Sequence, residues 1–253
     1  MMYDLQKANV FKRASAFLFD VILLSVAAVG FAFIISAITG YDVQSRRLDD
    51  IYARYEQEYG VSFGITEDEY NALPEAEKEN FDKAGEALNA DAEAAGLFMM
   101  VVNLTMVIIS ISLLLAYMLL EFVVPLLFGN GQTLGKKIFG ICLVRTDGVK
   151  VTPVMLLIRT LLGKYTIETM VPVLILIMIY FRIVGLTGTV VLLLILLIQM
   201  IIFAATRNHS LIHDLLAGTA AADMASQRIF ESEDELIEYK KKLAAEAAAK
   251  KEY

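Results

Sequence analysis

The sequence has few of the residues on which disulfide bonds and metal sites depend. Among its 253 residues are one cysteine, Cys142, and two histidines, His209 and His213. A single cysteine excludes a disulfide within the chain and says nothing about the redox compartment. Two histidines are too few for a self-contained His/Cys metal site. We therefore expect neither a metal nor a cofactor.

Motifs of common enzyme classes are also missing from the sequence. It contains no G-x-S-x-G nucleophile elbow, no H-E-x-x-H helix and no G-x-x-x-x-G-K-[ST] phosphate loop. The Gly135-Lys136 pair matches only a fragment of that loop. His213 and Asp214 are adjacent, and adjacent side chains on a helix point about 100° apart, which disfavours an acid–base pair. We expect the protein not to be an enzyme.

The negative net charge is concentrated in one segment. The net charge is −7, yet residues 41–96 contain 15 acidic and five basic residues and carry −10, so the rest carries +3. No basic patch suggests a nucleic-acid partner. Thr66 and Glu69 have the spacing of a capping box, which predicts a helix within this acidic segment. We expect the segment to be a small helical insertion outside the cytoplasm.

Apolar residues are abundant and fall into blocks. They make up 57% of the chain, and the mean hydropathy is +0.60. The long runs cover residues 11–38, 97–128, 167–184 and 189–205. About 20 apolar residues cross a bilayer as a helix, so we predict an all-α polytopic membrane protein with four transmembrane helices. The first run is too long for a signal peptide and contains Asp20, which favours a retained helix.

Shorter elements are predicted between and after these runs. Residues 138–151 contain two β-branched stretches around Asp147-Gly148, which predicts a small cytoplasmic β-hairpin. Thr152 and Pro153 predict the start of a short interfacial helix to about Lys164, and residues 207–219 predict a second interfacial element. The predicted organisation is 1–40 for the N-terminal segment and first span, 41–96 for the insertion, 97–222 for the remaining membrane domain and 223–253 for a charged tail.

Lysine and arginine near the ends of the spans predict the orientation. They cluster before the first span, between the second and third, and after the fourth, whereas only Arg182 adjoins the other short loop. Such residues favour the cytoplasmic side. We therefore expect a multi-pass protein of the cell membrane with both termini in the cytoplasm.

Several ionisable residues lie within or beside the apolar runs, where an aspartate costs roughly 2.5–3.5 kcal/mol at the centre of a helix. They are Arg13, Asp20, Glu121, Arg159, Glu168 and Asp214. Side chains lean toward the N-terminus of a helix, so a direct Arg13–Asp20 bridge is strained. We predict that Asp20 pairs with Arg159, which leaves Arg13 for a lipid phosphate or for Asp214. Glu121 is expected near the inner boundary, within reach of water.

These residues together resemble the RDD family of bacterial membrane proteins, which is named for one arginine and two aspartates. Arg13 and Asp20 match the arginine and aspartate of the first helix, and Asp214 matches the second aspartate within a stretch similar to L-H-D-x-x-A-G-T. An inserted isoleucine and the length of segment 41–96 depart from the family pattern. The positions that carry the motifs are Gly131, Thr133, Gly135, Lys136, Arg159, His213, Gly218 and Thr219.

The resemblance implies the architecture more directly than the activity, because members are proposed either to transport ligands, to exchange sodium for protons, or to serve as accessory membrane proteins. One interpretation makes Asp20 a carboxylate that alternates between protonated and ion-bound states during transport. The other makes it part of a buried ion pair that fixes helix order in a non-catalytic partner protein. The expected partners are the lipid bilayer and, as candidates, a small cation, a second copy of the chain or another membrane protein.

Overall fold

The computed structural model describes residues 5–180 and 184–249, and most of them are helical. In chain order the elements are α1 (Val10–Thr39), α2 (Tyr41–Tyr59), α3 (Glu67–Ala72), α4 (Glu75–Ala90), α5 (Ala92–Phe128), α6 (Leu134–Ile138), β1 (Ile141–Arg145), α7 (Pro153–Tyr180), α8 (Gly185–Ala205), α9 (Ile212–Ala217), β2 (Thr219–Asp223) and α10 (Glu233–Ala249).

Four of these helices, α1, α5, α7 and α8, are long and apolar enough to cross a membrane. They contain 21 to 37 residues, and about 20 suffice for a hydrocarbon core of roughly 30 Å. Large apolar side chains such as Phe33 and Leu193 are exposed along them, as expected of a surface that lipid covers. The four predicted spans and the all-helical membrane class are confirmed.

The third span is longer than its apolar run. The sequence predicted a separate interfacial helix that ends near Lys164, but α7 continues without a break from Pro153 to Tyr180. Lys164 does not end the helix because its ammonium group is buried and bonded to Glu121. Arg182, on the predicted loop after this span, lies outside the described residues.

Two stretches of the spans are wound more widely than an α-helix. Met118–Val123 in α5 and Ile158–Met170 in α7 are π-helical, and each ends shortly before a proline, Pro125 or Pro172. Proline has no N–H for the carbonyl four residues earlier, and its ring crowds that carbonyl. In both helices the residue before the proline donates its N–H to the carbonyl five residues earlier. Proline thus accounts for the end of each π-helical stretch.

The sheet is two-stranded and antiparallel, with Arg145 of β1 opposite Thr219 of β2. The sequence placed the partner strand directly after the Asp147-Gly148 turn. That turn forms, and an isolated bridge joins Val144 to Lys150, but the continuous partner of β1 is the segment that follows α9. A small antiparallel sheet is therefore confirmed, with a different second strand.

The chain divides into two compact units. In the unit of residues 29–112, Leu48 and Ile51 of α2 pack with Ala94 and Leu97 of α5, and α3 begins with the predicted capping box. The other unit combines the residues up to Ala28 with those from Leu113 onward. It contains the sheet and the charged residues of the candidate site. The segment boundaries proposed from the sequence stay predictions.

Candidate functional site

Asp20 is held from outside its own helix. Its Oδ2 accepts a hydrogen bond from Thr133 Oγ1 at 2.5 Å, and its Oδ1 accepts one from the Gly135 N–H at 2.8 Å. Lys136 Nζ lies 4.0 Å from Oδ2. Asp20 therefore takes part in the N-terminal hydrogen bonding of α6, where carboxylates are stabilised by free N–H groups and the helix dipole.

Gly135 makes this contact possible. A Cβ at this position would collide with the carbonyl oxygen of Ala16 and lie 2.8 Å from Asp20 Oδ1. Thr133 also caps α6, because its Oγ1 accepts the N–H of Lys136 at 3.2 Å. Gly131 adopts φ +61°, and a Cβ there would lie 2.9 Å from Leu143. The glycines and the threonine of this stretch thus shape the loop around the carboxylate.

Glu121 is enclosed by cations. Its carboxylate bonds to the ammonium group of Lys164, and its Oε2 lies 3.7 Å from Arg159 Nη1 and 4.0 Å from Lys136 Nζ. The residue is 6% exposed. The expectation that Glu121 reaches water at the boundary is wrong, because these three basic side chains compensate its charge inside the protein.

Asp214 is the partner of Arg159. Arg159 Nε donates to Asp214 Oδ1 at 3.0 Å, and Thr219 Oγ1 donates to the same oxygen at 3.0 Å. Both charged residues are buried. Burial raises the pKa of Asp214, but the positive charge of Arg159 outweighs burial and holds that pKa below its ordinary value. The predicted Asp20–Arg159 pair is wrong, because Arg159 turns toward Asp214 and Glu121 instead.

His213 bonds to Glu168 rather than acting with its neighbour in sequence. Its Nδ1 lies 2.7 Å from Glu168 Oε2, and its backbone N–H donates to Oε1 at 3.1 Å. Gly163 allows α9 to approach α7 this closely, since a Cβ at that glycine would collide with the His213 side chain. Burial and the charge of Arg159 lower the pKa of His213, which favours the neutral imidazole.

Arg13 faces the end of the fourth span. Its two terminal nitrogens donate to the backbone carbonyls of Asn208 at 3.1 Å and His209 at 2.8 Å. The absence of a close Arg13–Asp20 bridge among the described ion pairs agrees with the predicted strain. Arg13 makes no ion-pair contact with Asp214 within the described part of the chain, and its bonds to Asn208 and His209 hold the turn after α8. Gly218, at φ +63°, ends α9 and leads into β2.

Two of these acidic residues have the same spacing to a following proline. Glu121 and Glu168 each stand four residues before a proline, Pro125 and Pro172. Pro125 leaves the Glu121 carbonyl without its usual helical donor, and Thr160 Oγ1 donates to that carbonyl at 2.9 Å. An E-x-x-x-P spacing inside an apolar run is the signal that could have identified both positions.

A cavity of about 240 Å³ adjoins this cluster. Its charged lining consists of Arg13, Asp20, Lys136, Arg159, Lys164 and Asp214. A second cavity of about 50 Å³ is lined by Asp20, Glu121, Lys164, Glu168 and His213, together with Tyr117 and Leu24. Asp20 lines both cavities, as do Lys164 and His213. Burial lowers the pKa of Lys136 to about 8, although Glu121 opposes that shift.

The arrangement is a cluster of ion pairs. Within residues 5–180 and 184–249, no group of three or more His, Cys, Asp and Glu side chains could hold a metal ion. The four acids of the cluster, Asp20, Glu121, Glu168 and Asp214, each face a basic side chain or a histidine. The acidic and basic side chains of the cluster therefore compensate one another's charge inside the protein.

Comparison with known proteins identifies one family. The model of the RDD family matches residues 7–218, which include every residue of the cluster. A search of the curated proteins and a search of the solved structures found no match.

Proposed function

Since this chain belongs to the RDD family of membrane proteins, we propose that it is a proton-coupled transporter in which Asp20 binds and releases the proton. The proposal places it in the cell membrane with both termini in the cytoplasm, and it assigns the chain no enzymatic activity. The transported species is a small cation exchanged for protons, or another ligand moved with them.

The presence of Asp20 in the lining of both cavities carries this proposal. The smaller cavity is also lined by Tyr117 and Leu24, which belong to the second and first spans. Chains of carboxylates and histidines inside a membrane commonly serve as proton relays. Glu168 and His213 line the smaller cavity and extend such a chain beyond Asp20.

Among the acids of the cluster, Asp20 also has the longer ion-pair distance. Its nearest ammonium group, that of Lys136, is 4.0 Å away, whereas Asp214 lies 3.0 Å from Arg159 and Glu121 bonds directly to Lys164. Loss of the Asp20 charge therefore removes a weaker ion pair than loss of the Glu121 or Asp214 charge, because Coulomb energy falls with distance.

Proteoliposomes that contain the full chain and a trapped pH dye test the proposal. An imposed sodium, potassium or other ion gradient should change the internal pH with the wild type and not with Asp20→Asn. The amide keeps the size of the side chain and can still accept the Gly135 N–H. Glu86→Gln, an exposed acid of α4, is the control and should transport like the wild type. Equal flux with Asp20→Asn would refute the role of Asp20.

In a second candidate function the protein is an accessory partner of another membrane protein. The pairing of each acid of the cluster with a basic side chain or a histidine favours it. Buried ion pairs fix the arrangement of helices without any movement of charge. In that case the reconstituted wild type conducts no ion in any gradient, and it co-purifies with one defined membrane protein or with a second copy of itself.

A further inference from the structure

The larger cavity has an excess of positive charge on its wall. Four basic residues line it, Arg13, Lys136, Arg159 and Lys164, against two acidic ones, Asp20 and Asp214. Glu121 and Glu168 compensate part of this charge, but they lie behind the basic side chains and do not line the cavity. Charges that face a confined, low-dielectric space attract counter-ions more strongly than exposed charges. The cavity itself therefore favours an anion.

The buried basic side chains retain unused hydrogen-bond donors. Lys136 Nζ donates to Thr133 Oγ1 at 3.2 Å, and its carboxylate neighbours are both at 4.0 Å. An ammonium group has three donors. Arg159, only 4% exposed, uses Nε for Asp214, and its Nη1 lies 3.7 Å from Glu121. A guanidinium has five donors and binds phosphate oxygens in pairs.

The mouth of the cavity is apolar. Val10, Ala14 and Phe17 of α1 border it together with Phe203 of α8 and Leu211. Val10 and Phe17 are 50% and 63% exposed. These residues lie where the first span begins and the fourth span ends, which is the boundary between hydrocarbon and lipid headgroups. A ligand could place a charged group inside the cavity and apolar chains among these side chains.

We propose that this cavity binds a terminal phosphate group, either that of a phosphate monoester or free phosphate. A phosphate monoester carries about −1.5 to −2 charges at neutral pH, and the lining has two more basic than acidic side chains to face it. Arg159 and Lys136 contact the phosphate oxygens, and Arg13 lies at the entrance. The source of the group is either the headgroup of an anionic lipid or free phosphate. This binding does not depend on whether the protein transports an ion.

Binding of defined probes to the full chain in a neutral detergent tests the proposal. The probes are dioctanoyl phosphatidic acid, inorganic phosphate and, as a control without net charge, dioctanoyl phosphatidylcholine. Phosphatidic acid that binds at least about tenfold more tightly than phosphate identifies a lipid, and similar affinities identify free phosphate. Either result supports the site. The site is refuted if neither phosphate probe binds more tightly than phosphatidylcholine.

Two matched pairs of variants locate the binding. Lys136→Gln should weaken binding about tenfold through loss of a charged donor, whereas Lys137→Gln should not, because Lys137 lies over the Phe128 ring outside the cavity. Ala14→Glu adds a repelling charge at the mouth and leaves the cluster unaltered. It should also weaken binding about tenfold, while Ser15→Glu should not. Wild-type affinity in both Lys136→Gln and Ala14→Glu would overturn the proposal.

Asp20→Asn separates this inference from the proposed transport. The substitution removes a negative charge from the cavity wall, so phosphate binding should become severalfold tighter even though proton-coupled flux is lost. Weaker binding in this variant contradicts the phosphate site, whereas unchanged flux contradicts the transport mechanism alone.

Discussion

His213 makes the stability of the folded protein depend on pH. Because burial and the charge of Arg159 lower its pKa from 6.5, the folded protein keeps the imidazole neutral at a pH where the unfolded chain already binds a proton. Stability therefore falls as the pH drops through about 6.5. We expect the melting temperature in detergent to decrease between about pH 7.5 and about pH 5.5. His213→Asn, which retains an N–H donor toward Glu168, should remove part of this decrease.

His209→Asn is the control for that measurement. His209 contacts the carbonyl of Phe203 and the Phe203 ring rather than a carboxylate. The variant should keep the pH dependence of the wild type. A decrease of the same size in wild type and His213→Asn would mean that other groups cause it.

The individual residues of the cluster were easier to predict than their partners. The sequence pointed to Arg13, Asp20, Arg159 and Asp214 because charges inside apolar runs are rare. It did not reveal which charges meet, since Arg159 was assigned to a separate interfacial helix rather than to the third span. Pairing depends on the rotation and depth of α7, and no local pattern specifies those.

At the level of whole helices, the prolines of α5 and α7 set the hydrogen bonding of the spans. In α5, Pro125 leaves the Glu121 carbonyl to the hydroxyl of Thr160. Thr160→Val removes that donor and leaves a buried carbonyl unsatisfied, at a cost of about 1–3 kcal/mol. In a Pro125→Ala background the carbonyl regains a backbone donor, so the same substitution should cost about 1 kcal/mol less.

Unfolding by titration with a denaturing detergent measures this double-mutant cycle. Thr105→Val serves as the control, because the Thr105 hydroxyl bonds to the Val101 carbonyl one turn earlier in its own helix, and its loss should have little effect. Equal costs of Thr160→Val in the two backgrounds would show that Pro125 does not create the need for the threonine.

Among the shorter elements, β2 shows why local sequence was insufficient. Its residues, Thr219–Asp223, include three alanines, and alanine is depleted in strands. The β-branched stretch after Asp147-Gly148 looked like the better partner for β1. The actual pairing is fixed by Gly218, whose positive φ ends α9 and turns the chain toward β1. Thr152 and Thr66, in contrast, cap helices as predicted, because capping is local.

For the molecule as a whole, the proposed orientation can be tested with single cysteines. The native Cys142 is buried, and burial raises its pKa to about 11, so it reacts slowly. In intact cells a membrane-impermeant maleimide should label Glu86→Cys, in the segment between the first two spans. Lys240→Cys, in α10, should react only after permeabilisation. Labelling of both in intact cells would contradict four spans, and the reverse pattern would contradict the orientation.

The four-span architecture followed from sequence because hydropathy and length decide whether a helix enters a membrane. The cavities did not follow from it. They depend on close approaches at Gly135 and Gly163, where two elements distant in sequence touch without a side chain between them. The glycine at such a contact can be seen in the sequence, but the sequence does not show which segment packs against it.

The distance in sequence between Asp20 and its ligands has a consequence for biosynthesis. Thr133 and Gly135 follow Asp20 by 113 and 115 residues, so the ribosome completes the first helix long before either exists. The nascent helix must enter the bilayer with its carboxylate unmatched, protonated or shielded by the insertion machinery. Its final surroundings form only after the second span has been inserted, and Asp214 closes the cluster after the fourth. Assembly of the polar centre is thus a late step in the maturation of the protein.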